Sequence, residues 1–320
     1  MTNKTQIPDE VSAFYDRTLL DRAVALFVHT MFAQVRDLPK NAGTSTIKFR
    51  RYGNLSAATT PLTEGQTPAG SDLSVTDITA TVAQYGDFTT VTDVVDYSSQ
   101  DPVLMEAAEI LGDQAGDTLD QLTRDVLAAG TSVSYSGTGN TQNSHVAAGD
   151  VIDKADITAA VTTLKLNNAK KITRMIDPST GYNTTPINAA YIGIVHPNIA
   201  NTIRGLTGFV PVEQYPSGRK AMEGEIGYIE EVRFIETTNA KVFTGAGTSG
   251  IDVYGTLIMG MNAYGISRIS GEAMKNIVKP LGSGGTEDPL DQRATSGWKA
   301  TFVAKILNDN FMTRIVSAAS

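Results

Sequence analysis

"DPVLMEAAEILGDQAGDTLDQLTRDVLAAG", residues 101–130, is the stretch on which the fold turns. Leu104, Ala108, Leu111, Ala115, Leu119, Leu122 and Val126 recur at intervals of three and four, which lays one apolar stripe along a helix. Asp101 stands where an N-cap belongs, Pro102 occupies the first helical position, and Gly130 supplies the stop. A helix over 102–129 is a rod of roughly 40 Å at about 1.5 Å per residue, long for a globular domain. Glu106, Glu109, Asp113, Asp117, Asp120 and Asp125 lie off the stripe. They are spread over several turns, without the ligand spacing of a cation site, so a solvated face is expected.

On the N-terminal side, residues 45–97 read as strands running out and back. "STIKFRRY" (45–52) alternates Ile47 and Phe49 with Lys48 and Arg50. Residues 53–72, "GNLSAATTPLTEGQTPAGSD", hold almost no core material. From Leu73 to Tyr97 the chain is rich in Thr and Val, with a break expected at Gly86-Asp87. A ribbon with only one neighbour is marginal alone, and its edges invite pairing with another chain. Before it, residues 10–36 carry a helical pattern through Phe14, Leu19, Ala23, Leu26, Phe27 and Met31, ended by Leu38-Pro39. His29 falls inside that helix, as a packed or surface side chain.

On the C-terminal side, "TSVSYSGTGNTQNSH" (131–145) is a polar connector and the clearest domain boundary. Its "GTGN" lacks the lysine and the strand–loop–helix setting of a phosphate loop. A helix is expected over 157–172, beginning after Asp156. "AAYIGIVHP" is a buried strand, and "NIANTIRGL" a short helix closed by Gly205. Strand material follows at 224–237 and 251–270, then a loop at 281–297 and a closing strand region from Trp298. The class is α+β.

Composition excludes several functions. The formal charge is −8, with 26 basic and 34 acidic residues, which argues against a dedicated nucleic-acid binder. Cysteine is absent, so disulfides, thiolate nucleophiles and iron–sulfur clusters are excluded. Three histidines (His29, His145 and His196) leave little for a metal site. The N-terminus has no apolar core of a signal peptide, and no apolar run is long enough to span a membrane. No G-x-S-x-G, H-E-x-x-H or G-x-G-x-x-G occurs. Glu230 and Glu231, adjacent in an expected strand, would point to opposite faces. His196 is the one candidate for catalysis, in an α/β enzyme reading. A catalytic role would want a carboxylate or nucleophile at a comparable strand end, and the nearby strand ends offer mainly Gly, Thr and Asn, so it is expected to close a strand before a helix. No catalytic, cofactor or metal residue is assigned.

Several segments together resemble a known family. "TEGQTPAGSDL", a strand returning to "VTDVVDYSSQD", and then the long helix are similar to tailed-bacteriophage major capsid proteins, through Glu64, Gly65, Pro68, Ser71 and Asp72, then Asp125 and Gly130. "YIGIVHPNIANTIRG", "GEIGYIEEVRFIET" and "DQRATSGWKATFVAKIL" resemble the branch of podoviruses named after coliphage N-four. The resemblance implies the Hong Kong-97-type fold. An N-terminal arm would take 1–42 and an extended loop 43–97. A peripheral domain with a spine helix at 102–129 would take 98–135 and 271–320, and an axial domain 136–270.

It also implies a non-catalytic shell protein without cofactors, assembling into hexamers and pentamers around double-stranded DNA held without sequence-specific contacts. Expected partners are further copies of the chain, a portal, a separate scaffolding protein and a decoration protein. The expected location is the virion, after assembly in the host cytoplasm. Arg50, Arg51, Glu64, Asp72, Arg219 and Lys220 are the expected intersubunit contacts. The alternative within the same fold is an encapsulin-type nanocompartment shell.

Overall fold

The computed structural model describes residues 28–41, 43–67, 69–94, 103–176, 185–216, 221–270, 274–285 and 288–319. Two β-sheets and a hairpin are arranged around one long helix. The helix, α1 (Val103–Ala128), has 26 residues, close to the expected span. Its expected caps Asp101 and Pro102 lie outside the described residues, as does most of the helix expected over 10–36. Where that segment is described it is not helical: Val28–Phe32 form turns, and Gln34–Val35 form strand β1.

The hairpin pairs β2 (Thr46–Tyr52) with β3 (Val75–Thr81) in antiparallel register. Gly53 N–H donates to Ser74 O at 2.9 Å and closes the base of the loop 53–74. The return strand is broken at Val82, and β4 (Ala83–Thr92) runs through the break expected at Gly86-Asp87. Gly86 is there for proximity: a Cβ on it would stand 2.5 Å from the carbonyl oxygen of Trp298. Its partner strand is β14 (Arg293–Ile306), joined to β4 over ten register pairs from Arg293↔Thr92 to Phe302↔Ala83.

The first sheet is centred on β14. Against it lie β4, β13 (Met274–Lys279) and β12 (Tyr264–Ser267), and β1 adds to β12 in parallel. Leu111, Ala115 and Leu119 of α1 pack on Trp298, Ala300, Phe302 and Ala304 of β14. The apolar stripe read from the sequence is therefore the helix–sheet contact. Gly130 ends the helix without the left-handed conformation its expected role implies. It lies close against the turn at Asp309–Phe311, and a Cβ there would be 2.8 Å from Asp309 Oδ1.

The second sheet runs β5 (Val133–Tyr135), β15 (Met312–Ala318), β11 (Val253–Met259), β6 (Tyr191–Val195), β9 (Val232–Glu236), β8 (Glu225–Ile229) and β7 (Val210–Pro211). β10 (Lys241–Phe243) adds to β11. β6 is buried throughout because both its faces are covered. Tyr191 and Val195 join helices α2 (Lys154–Leu166) and α3 (Pro197–Arg204) in one cluster. Ile192 and Ile194 join Leu127 of α1, with Val28 and Phe32, in another.

α2 starts earlier and stops sooner than the span 157–172. Asp153 caps it, accepting from Asp156 N–H at 2.8 Å, and Asn168 turns left-handed at φ 57 just past its end. The sheets also cut across the expected domain boundaries. β12, before residue 270, belongs to the first sheet, whereas β5 and β15 belong to the second. The chain crosses between sheets at 260–263 and 307–311, and these crossings are bonded together: Leu307 N–H donates to Ala263 O at 2.9 Å, and Gly260 N–H to Phe311 O at 2.8 Å.

Candidate intersubunit surfaces and buried polar clusters

The loop 53–74 shows what the chain does not satisfy by itself. Every described residue from Arg50 to Asp77 is exposed, including Leu62 at 78% and Leu73 at 65%. Only short turns hold it, such as Gln66 N–H to Thr63 O at 3.2 Å. Gly65 takes φ 76, beside Glu64, in the left-handed region that glycine enters without strain. A leucine left in water forgoes about 1.5–3 kcal/mol relative to a buried one.

The expected contact residues do not form one site. Arg50 bonds Asp77 across the hairpin at 3.2 Å and is exposed. Arg51, next along β2, is on the opposite face of the ribbon. Glu64 and Asp72 are exposed in the loop. Arg219 and Lys220 lie outside the described residues.

Two buried polar clusters were not anticipated from the sequence. The expected solvated face of α1 is not wholly solvated: Asp120 is 0% exposed. Its carboxylate accepts from His29 N–H at 2.7 Å, from the His29 ring Nδ1 at 2.7 Å and from Asn239 Nδ2 at 3.2 Å. The Tyr264 hydroxyl donates to His29 O, and its burial raises its pKa. Asn239 also reaches Asp117 at 2.8 Å, and Lys241 pairs with Asp125 at 2.8 Å. One flank of the helix is thus bonded to segment 28–32 and to the turn before β10. The clue was Asp120 at i+4 and i+8 from Gly116 and Gly112, a second set of positions without bulky polar groups; nothing local says that His29 meets it.

The second cluster is Glu225, Arg233 and Tyr215. The Glu225 side chain is 0% exposed, and it accepts from Arg233 Nε at 2.6 Å and from the Tyr215 hydroxyl at 2.7 Å. Burial and the bond to Glu225 raise the Tyr215 pKa, and Arg233 stacks 5.6 Å from its ring. Two arms of the arginine fork meet one carboxylate, which fixes β8 against β9.

Glu230 and Glu231 are not in a strand. They are the two turn residues between β8 and β9, at φ 44 and φ 67, where a two-residue hairpin needs left-handed backbone. Glu230 pairs with Lys154 at 3.0 Å, and Glu231 with Lys165 at 2.8 Å and Lys171 at 2.7 Å. Burial pushes the Glu231 carboxyl up, but the bonds from both lysines outweigh it and leave its pKa lowered.

His196 is the N-cap of α3. Its Nδ1 accepts from Asn198 N–H at 3.2 Å, its ring lies 5.0 Å from that of Tyr254, and Asn198 Nδ2 bonds the Tyr254 hydroxyl at 2.8 Å. Burial lowers its pKa. No cluster of three metal-ligating side chains occurs among the described residues, and no helix there is long and apolar enough to cross a membrane.

A helix laid on a β14-centred sheet, an exposed hairpin and a second, helix-covered sheet form an arrangement shared with solved phage capsids. The capsid of Ralstonia phage GP4 matches with TM-score 0.69 and 13% identity, over 90% of this chain and 87% of the other. The capsid of cyanophage Pam1 gives TM-score 0.63 and 13% identity, over 92% of this chain and 94% of the other. The head structure of Helicobacter pylori bacteriophage KHP40 gives 0.61 and 13%, over 92% and 90%. At such identities the likeness establishes the fold. A family model described as phage capsid protein matches residues 75–315, and the chain belongs to that family. It is a major capsid protein, a structural component of the virion rather than an enzyme. No curated protein matches the sequence.

Proposed function

We propose that copies of the chain close into hexamers and pentamers of an icosahedral shell around double-stranded DNA. The observation that carries this is the loop 53–74, every described residue of which is exposed, with three leucines at 53–78% exposure. A segment with that much uncovered apolar surface gains its stability from a neighbour. The chain's negative charge suits a container for DNA, since a basic lining would hold the phosphates.

In this reading the N-terminal arm is 1–42, the extended loop 43–97, the peripheral domain 98–135 with 271–320, and the axial domain 136–270. The strands that cross those boundaries, β5, β12 and β15, tie the two domains together. Arg50, Arg51, Glu64, Asp72, Arg219 and Lys220 are contact residues between copies. The branch is that of the N-four-like podoviruses, and assembly takes place in the host cytoplasm with a portal, a separate scaffolding protein and a decoration protein. The test is negative-stain microscopy of the expressed chain, alone and with the neighbouring genes of its genome. Closed shells of tens of nanometres are expected; a stable monomer under every condition would overturn the proposal.

A further inference from the structure

A groove opens between the hairpin and the two crossings that join the sheets. β2 forms one wall, and Gly265 of β12 lets that wall lie against the rest of the chain. A Cβ on Gly265 would stand 3.0 Å from Leu307 Cδ1 and 3.2 Å from Phe49 Cε1. Asn262 in the crossing 260–263, Asn310 in the crossing 307–311 and Asn167 at the end of α2 also line the groove. Arg36 enters from the segment after β1, where its N–H donates to Ile266 O at 3.0 Å. The volume is about 860 Å³, inside the span of roughly 300–1,000 Å³ that small-ligand sites occupy.

The polar groups of this groove are largely unspent. Arg36 and Lys48 are exposed and form no ion pair among the described residues. Arg51, a contact between copies in the shell reading, adds a third such cation in the free chain. Asp37, the one acid lining the groove among the described residues, is bonded to Arg268 at 3.1 Å, and Arg50 is matched by Asp77 at 3.2 Å. The side-chain amides of Asn167, Asn262 and Asn310 make no hydrogen bond among the described residues. Tyr52, in the same wall, is 59% exposed. In a chain of net charge −8 this is a local excess of positive charge.

A ligand that answers these groups has several negative charges close together, a flat ring, and edges that both donate and accept. A single carboxylate supplies one charge and leaves two cations open. A nucleotide supplies phosphate oxygens for arginine and lysine. Its base stacks on a tyrosine and offers donors and acceptors to amides. We infer that this groove binds a nucleotide unit, with phosphates at Arg36 and Lys48 and the base at Tyr52 and the asparagines. The unit belongs either to a free nucleotide or to an unpaired stretch of a DNA strand. The inference concerns a single copy and stands apart from the shell reading.

The test is fluorescence anisotropy of a short labelled DNA strand on the unassembled chain at low salt, with a nucleoside triphosphate, inorganic phosphate and polyglutamate as competitors. Binding is expected, at least fivefold weaker for Arg36→Gln/Lys48→Gln. It should stay within twofold of wild type for Lys279→Gln/Lys299→Gln, which removes the same charge from the first sheet. Two phosphate contacts at about 0.7 each should make the log–log salt dependence of the groove variant shallower by about 1.4. Displacement by the triphosphate at the strand's own concentration identifies a free nucleotide as the ligand, and tighter binding of the strand identifies nucleic acid. No binding of either, a smaller loss from the groove variant, or an equal loss from the control overturns the inference. Displacement by polyglutamate as ready as by the triphosphate also overturns it and assigns the groove to an acidic protein. Should the groove variant fail to fold, as read by Trp298 fluorescence, Lys48→Gln alone decides: a loss of at least twofold supports the site, and a smaller one refutes it.

Discussion

Truncating Asp120 should be among the most damaging single changes in the chain. Asp120→Ala strands two donors, the His29 backbone N–H and the His29 ring nitrogen, and takes one of two acceptors from the Asn239 amide, in a site where both His29 and Asp120 are 0% exposed. Leaving a buried donor without an acceptor costs about 1–3 kcal/mol, so the two His29 donors together put the loss at about 2–6 kcal/mol. A chain of this length unfolds with an entropy of roughly 0.7 kcal/mol per kelvin, so the melting temperature of the unassembled chain should fall by about 3–9 °C. Asp120→Asn should be much milder, about 1 kcal/mol. Its amide oxygen can still accept from the His29 N–H, and its NH₂ can donate to Nδ1 once the imidazole moves its proton to Nε2. Nε2 has no bond among the described residues, so that tautomer displaces nothing. Trp298, the only tryptophan, bonds Gln114 of the same helix at 3.1 Å and reports unfolding by its fluorescence. Equal losses for Ala and Asn, or a loss below about 1 kcal/mol for Ala, would refute the reasoning.

Three other outcomes are expected. The pKa of His196 is lowered in the folded chain from 6.5, so the unfolded chain takes up the proton first; the stability present above that pH is lost as pH falls through the folded value. Melting at pH 7.5 and 5.5 should show a smaller drop for His196→Asn, which can cap without titrating, and equal drops would count against the cap. Glu230→Asn/Glu231→Gly relieves about 1 kcal/mol or more of left-handed strain and gives up three partly exposed ion pairs worth about 0–1 kcal/mol each. In 1 M salt, which screens the pairs, the variant should melt above wild type; a lower melting point there would show that the turn is not strained. Gly86→Ala drives a methyl to 2.5 Å from a backbone carbonyl and should cost roughly 2 kcal/mol or more, read by urea unfolding; a neutral result would mean that β4 and β14 part easily.

Periodicity carried the parts of the fold set by a local rule. The stripe from Ala108 to Leu119 marked the side of α1 that meets the sheet, and alternation marked β2. What escaped depends on pairing across the chain. Asp120 looks like its acidic neighbours until His29, ninety-one residues away, is placed beside it. Glu230-Glu231 carries none of the Asn or Gly of a tight hairpin, because three lysines from elsewhere hold the turn. β13 is short, and its alternation of Lys275, Ile277 and Lys279 acquires meaning only when Gly297 and Phe88 are set opposite. The loop 53–74 was legible as an uncovered segment.

The ten-pair ladder between β4 and β14 has a mechanical side. The exposed loop is tethered to the first sheet through β3 and β4, so a pull on it along the strand axis reaches the ladder as shear. All its hydrogen bonds then share the load at once, instead of opening one after another as in a peel. β14 passes the force on through residues 307–311 to β15 in the second sheet, beside the companion crossing at 260–263 to which they are bonded. A subunit wired in this way distributes tension from a neighbour over both sheets before any single contact gives.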